Sequence, residues 1–142
     1  MNEYHLHLDR LESFVAEKFP HLTEGTITAM LRLCLKNDGL IYPPVEKPDF
    51  LFAFYRYYPE SRRAVEEQDF DELNRRDLTY GPLLYVSAFV APIKGYEIFR
   101  ECVDVLNPMA LTFHRMDRRS GKWRFGFLQN RRFRKPREAY HG

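Results

Sequence analysis

The stretch from residue 81 to residue 116, GPLLYVSAFVAPIKGYEIFRECVDVLNPMALTFHRM, constrains this chain more than any other. Apart from Ser87, residues 83–91 are apolar at consecutive positions, the pattern of a central strand covered on both faces. Pro92 and Gly95 then interrupt it. Tyr96, Phe99, Val103 and Leu106 follow at helical spacing, which predicts a helix over 95–106. Asn107 and Pro108 close that helix, and residues 109–116 return to strand chemistry. Strand, helix and strand in this order form a βαβ unit, whose two strands run parallel with a right-handed crossover.

The flanking segments supply the other elements. Leu8, Leu11, Phe14 and Val15 share one face of a helix predicted over 8–18, with Asp9 as its cap or early acid. Phe19-Pro20 ends it. Thr23 then caps a second helix striped by Ile27, Met30, Leu31, Cys34 and Leu35, which closes at Asn37-Asp38-Gly39. Residues 40–44, LIYPP, read as a short edge strand, since proline is tolerated only there. In DFLFAFYRYY, residues 49–58, Phe50, Phe52, Phe54 and Arg56 point one way and Leu51, Ala53, Tyr55 and Tyr57 the other. Both faces are apolar, so this is an interior strand. Residues 60–78 are charged throughout, with Val65, Phe70 and Leu73 as anchors, and read as a solvated helix or a lid-like loop. A hairpin turn at Ser120-Gly121 joins strand 109–116 to a returning strand over 122–129. The sum is a single α/β domain over 1–130: a mixed, mainly antiparallel sheet with one βαβ unit and helices on its faces. A basic tail, 131–142, follows it.

Bulk properties narrow the class. Of 142 residues, 44% are hydrophobic and 15% aromatic, too apolar for disorder and suited to a heavily packed sheet. No apolar run reaches the roughly 20 residues of a membrane span. The N-terminus lacks the basic-then-apolar pattern of a secretory signal, so a cytoplasmic setting is expected. Cys34 and Cys102 lie in helical patterns without metal-ligand or redox spacing, and read as buried thiols. The net charge of +2 hides a segregation: residues 115–142 hold 10 Lys/Arg against 2 Asp/Glu, and the rest of the chain is net acidic.

Three groups of residues carry candidate chemistry. Gly95, with Lys94 and Tyr96 beside it, stands at the strand-to-helix turn. A glycine there allows a positive φ or a close approach, and a helix N-terminus presents amide donors to an anion. The alternative is a plain tight connection. Ser87 lies mid-strand, either as a small core residue or as a polar group needing a base to activate it. His114 is the base that the βαβ unit brings closest, unless it is a satisfied structural histidine. The third group is basic: Arg118, Arg119, Lys122, Arg124, Arg131, Arg132, Arg134, Lys135 and Arg137, with Arg115 just ahead. It forms either a solvated face or a surface for nucleic acid or an acidic protein partner. Trp123, Phe125 and Phe127 alternate with these cations and are expected to be buried, which removes them as base-stacking residues.

The element order and the turn at 84–99 resemble the GNAT acyltransferase fold. LYVSAFVAP is similar to the corresponding strand of toxin-activating lysine acyltransferases, a GNAT-like branch. The resemblance implies that a central strand bulges and splays beside a helix N-terminus, with acyl-CoA in the splay and its pyrophosphate on loop 92–95. It implies an enzyme moving an acyl group from acyl-CoA or an acyl carrier protein to an amine or hydroxyl. Lys94, Gly95 and Tyr96 would then hold the cofactor, and Ser87 and His114 would lie near the chemistry. Pro92, Glu97 and Ser87 stand where the family carries Gln or Arg, a small residue, and a catalytic Asp. These departures support a second expectation: a GNAT-like domain with a degenerate cofactor site, serving as a non-catalytic binding or structural protein, as in a phage virion. A third is nucleic-acid binding through the basic C-terminal segment. None of these involves a metal or a membrane.

Overall fold

A computed structural model describes residues 3–43 and 45–130, and of residues 3–7, 93 and 94 the backbone alone. The basic tail, with Arg131, Arg132, Arg134, Lys135 and Arg137, lies outside the described residues, as does the side chain of Lys94. Two helices come first, α1 (Glu3–Lys18) and α2 (Glu24–Lys36). The Thr23 hydroxyl accepts from the Thr26 amide at 3.2 Å and caps α2. Helix α1 begins well before residue 8, so Asp9 sits inside it, where its carbonyl accepts from the Ser13 hydroxyl.

Strands β1 (Leu40–Ile41) and β2 (Leu51–Tyr57) follow. The charged stretch after β2 takes the helical of its two readings, broken into short pieces. It folds into a 3₁₀ turn and two six-residue helices, α3 (Arg62–Glu67) and α4 (Phe70–Arg75). Ala64, Val65, Leu73 and Leu78 are all buried beneath them, so four apolar anchors hold a segment whose outer face is almost wholly charged. The chain continues through β3 (Leu83–Val90), α5 (Ile93–Leu106), β4 (Ala110–Met116) and β5 (Trp123–Gln129).

The five strands form one sheet in the order β1-β2-β3-β4-β5, with β3 and β4 parallel and every other pair antiparallel. Helices cover both faces of this mixed α/β domain. Leu51, Ala53, Tyr55 and Tyr57 of β2 pack with α1, α2, Val65 and Leu73 in one core. Phe52 and Phe54 point the other way, into a smaller core with Leu84, Phe89, Phe99 and Leu106 under α5. The period of two in β2 thus serves both layers. Arg56 closes the α5 side: its guanidinium donates to the carbonyls of Gly81 and Leu106, the latter at the helix C-terminus, where positive charge is favoured. No described helix is long and apolar enough to cross a membrane.

Two irregularities in β3 set up the site. Ala53 pairs with Ala88 but Phe54 pairs with Val86, so Ser87 is an extra residue, a β-bulge. Because of it, Ser87 and Ala88 both turn toward the α1–α2 layer: Ser87 reaches Cys34 and Ala88 joins the core there. In addition, β3 and β4 pair over three residues only, Leu83–Tyr85 against Ala110–Thr112. Beyond that point β3 stays with β2 as far as Val90, and β4 stays with β5 as far as Met116. The sheet splits there into two arms.

Candidate functional site in the strand splay

A cavity of about 290 Å³ opens at the split, on the α1–α2 side. The joint between α1 and α2 supplies Phe19, His21 and Leu22, and α2 itself Thr26 and Met30; β3 supplies Tyr85, Val86 and Ser87; Gln68, His114 and Trp123 complete the wall. The lining is mainly apolar with few polar groups, the usual character of a small-molecule site. At roughly 30 Å³ per water-sized group, the space holds on the order of ten such groups. His21 and Trp123 stack at 4.8 Å between ring centroids, and both are exposed, so they form its outer rim.

The polar centre of the cavity is a hydrogen-bonded pair. Tyr85 Oη lies 2.6 Å from His114 Nδ1, and His114 Nε2 lies 2.9 Å from the carbonyl oxygen of Glu66. A carbonyl only accepts, so Nε2 carries the ring proton. Nδ1 of the neutral imidazole therefore accepts from the Tyr85 hydroxyl. The fold explains the geometry. Helix α3 ends in the left-handed residue Gln68, leaving terminal carbonyls without helical partners. His114 takes the Glu66 carbonyl, and the Gln68 side chain takes that of Val65 at 2.6 Å. Burial holds the His114 imidazole below its ordinary value, against the opposing pull of the Glu66 carbonyl. Burial also pushes the Tyr85 phenol up, so it stays protonated and donates the hydrogen bond to Nδ1.

Ser87 and His114, singled out from sequence, do line one cavity. They are not joined as nucleophile and base. Ser87 Oγ is bonded to Cys34 Sγ at 3.5 Å, and both ring nitrogens of His114 are already engaged. Burial drives the Cys34 thiol up to about 12, so it is an inert support behind the bulge. Tyr85, the residue that does bond His114, escaped the sequence reading because it lies inside an apolar run. Just below it, Thr112 Oγ1 accepts from Tyr57 Oη at 2.9 Å and donates to the Leu84 carbonyl at 3.1 Å, fastening β3 to β4 at the last paired positions.

The strand-to-helix turn differs from the sequence reading. Helix α5 starts at Ile93, with Pro92 as its cap, so Gly95 is already in the first turn and has no positive φ. Glycine is required there by closeness: a Cβ would come 2.5 Å from Ala91 Cβ. The amides of Gly95 and Tyr96 both turn back to the Pro92 carbonyl, at 2.9 and 3.4 Å, and offer nothing to an anion. Tyr96 is half-exposed and packs against Phe89 and Phe99 in the α5 layer, away from the cavity on the other face.

The β4–β5 hairpin bears the described part of the basic segment. Arg115, Arg118, Arg119 and Arg124 line a shallow concavity together with Asp117, and Arg124 pairs with Asp117 at 2.8 Å. The expectation that the β5 aromatics are buried is overturned for two of the three: Trp123 is 48% exposed and Phe127 55% exposed, while Phe125 packs against the core. Strand β5 is the sheet edge, and the helical layer does not reach across it.

No protein-family model and no curated protein matches this chain. Among the described residues no group of three His, Cys, Asp or Glu side chains is placed to hold a metal ion.

Proposed function

We propose that the splay cavity receives the acyl end of a thioester donor, and that the domain is a divergent, GNAT-like acyltransferase. One observation carries this reading: an apolar cavity opens where two parallel strands part, and a polarised Tyr85–His114 pair is its polar centre. The β-bulge at Ser87 and the parting of β3 from β4 support it as well, since both are features that the resemblance implies.

The chemistry follows from the hydrogen bonds. An amine or hydroxyl attacks the thioester carbonyl and passes its proton to Tyr85 Oη as the Tyr85 proton moves to His114 Nδ1. The Glu66 carbonyl steadies the resulting imidazolium through Nε2–H. When the tetrahedral intermediate collapses, the C–S bond breaks and the proton returns through Tyr85 to the departing sulfur. The products are an amide or ester and a free thiol, and no proton is gained or lost. Ser87 narrows the acyl channel in this scheme and forms no covalent intermediate.

Calorimetric titration with acyl-CoAs of increasing chain length tests the reading. Affinity should rise from acetyl to a medium chain and then level off as the cavity fills, and Leu22→Trp should abolish the chain-length preference. Tyr85→Phe should bind the donor as before and release thiol at least tenfold more slowly in the presence of amines. No heat with any donor would end the proposal. Binding without thiol release would favour the second reading, a non-catalytic domain with a degenerate cofactor site, for which the inward-turned Gly95 and Tyr96 amides argue.

A further inference from the structure

We infer that the outer edge of the sheet, formed by β5 and the hairpin before it, binds single-stranded nucleic acid. Three observations meet there, and none depends on the cavity chemistry. The first is charge. Arg115, Arg118, Arg119, Lys122 and Arg124 are all exposed, and Asp117 is the one carboxylate among residues 110–130. The second is an unfavourable register: Arg115 stands directly opposite Arg124. Like charges across a strand pair are destabilising, and one Asp117 carboxylate, held by Arg124, relieves only part of that. Among the described residues, Arg115, Arg118 and Arg119 have no ion-pair partner, so an external polyanion completes the arrangement.

The third observation is the aromatic row. Trp123, Phe125 and Phe127 share one face of β5, spaced about 7 Å apart at two residues per step. Trp123 and Phe127 are about half exposed, and the Arg62 guanidinium sits 5.6 Å over the Phe125 ring. Arg115 and Arg124 project from the opposite face of this edge, so a single strand wrapping the edge meets rings on one side and cations on the other, the bases stacking and the phosphates following the cations. Duplex nucleic acid keeps its base faces covered and would leave the rings unused. A bilayer fits less well, because the hairpin tip, residues 117–122, is DRRSGK and presents no apolar side chain to insert. The acid excess over residues 1–114 confines a polyanion to this edge.

Trp123 is the sole tryptophan, so its fluorescence reports directly on the site. The full chain is titrated with a dT20 oligonucleotide at several KCl concentrations, beside heparin, the matching duplex and phosphatidylserine vesicles. The expected result is saturable quenching by the single strand and weaker quenching by the duplex. Log affinity should fall against log salt with a slope of about −2 to −3, corresponding to three or four phosphates at ~0.7 each. Arg118→Glu with Arg119→Glu should weaken binding at least tenfold, and Phe127→Ala about tenfold while leaving heparin affinity unchanged. Equal loss of heparin and dT20 on Phe127→Ala would overturn the stacking role. Quenching by vesicles but not by dT20 would overturn the inference in favour of a lipid surface. Binding unchanged by both arginine reversals and by Phe127→Ala would place the interaction elsewhere in the chain and refute it.

Discussion

Tyr85, at the last paired position of β3, meets His114, two residues past the last paired position of β4, with Oη and Nδ1 2.6 Å apart. Their bond crosses the mouth of the split and ties one arm of the sheet to the other, while Nε2 ties both to the end of α3. A single imidazole therefore joins three elements, and its proton inventory affects the fold as well as any chemistry.

That coupling predicts a pH dependence. His114 is held below its ordinary value of 6.5 in the folded protein, so the unfolded chain binds more protons as the pH falls past 6.5. The contribution from this ring is complete above 6.5 and is lost as the pH falls toward the lower folded value, below which it changes no further. Urea midpoints measured from pH 7.5 downward should show this loss, and His114→Gln should flatten it. Nitrogen-detected NMR should find the Nε2–H tautomer at pH 7. An Nδ1–H tautomer would contradict the assigned bonding.

Thr112 gives a stability prediction at the base of the split. It is fully buried, accepts from Tyr57 and donates to the Leu84 carbonyl. Thr112→Val keeps the shape and leaves a buried phenol and carbonyl without their partner, at a cost of roughly 1–3 kcal/mol each. Adding Tyr57→Phe should recover part of the loss, because the stranded hydroxyl is then gone. Urea denaturation of the two single variants and the double one measures the coupling. Additive effects would mean that the Tyr57–Thr112 bond contributes nothing.

Two glycines should respond with opposite signs to the same change. Gly95→Ala places a methyl 2.5 Å from Ala91 Cβ beneath the start of α5, and overpacking of this kind costs about 1–3 kcal/mol. Gly25, in the first turn of α2, has nothing within 4 Å, so Gly25→Ala should stabilise by about 0.4–1 kcal/mol. Thermal melts of the two variants decide it, and a neutral Gly95→Ala would show that the turn is looser than its contacts imply. Larger residues at position 95 should unfold the turn, so ligand loss in such a variant would say nothing about an anion site.

Much of this was legible in the residues, for identifiable reasons. The central strand and the βαβ unit follow from apolar side chains at consecutive positions, which only a doubly covered strand accommodates. The bulge at Ser87 left no such mark, since neither Gly nor Pro stands there and a register shift belongs to two strands at once. The same holds for the split between β3 and β4. Tyr85 was hidden because a phenol in an apolar run reads as core, and only the chain of β4 and α3 around it reveals its partner. Alternation assigned Trp123 and Phe127 to the correct face but carried no information on how far the helices extend over it. The two short helices at 62–75 fell below the length at which a helical period can be read from so charged a segment.

The last prediction concerns Tyr55, on β2 beside Tyr85. Its ring is fully buried against Tyr85, at 5.3 Å between centroids, and its hydroxyl makes no hydrogen bond of good geometry. The Gln68 side chain is near enough to favour the ionised form slightly, but burial dominates and pushes the phenol well up. A buried donor without a partner carries a desolvation penalty of roughly 1–3 kcal/mol, and removing the group removes the penalty. Tyr55→Phe should therefore be neutral or stabilising, a reversal of the usual cost of trimming a core residue, and should raise the melting temperature rather than lower it. A clear drop would mean that the hydroxyl is bonded in solution, to Gln68 or to a water entering from the cavity. A Gln68→Ala background separates the two: in it Tyr55→Phe should become neutral if the side-chain amide is the partner, and should stay destabilising if water is.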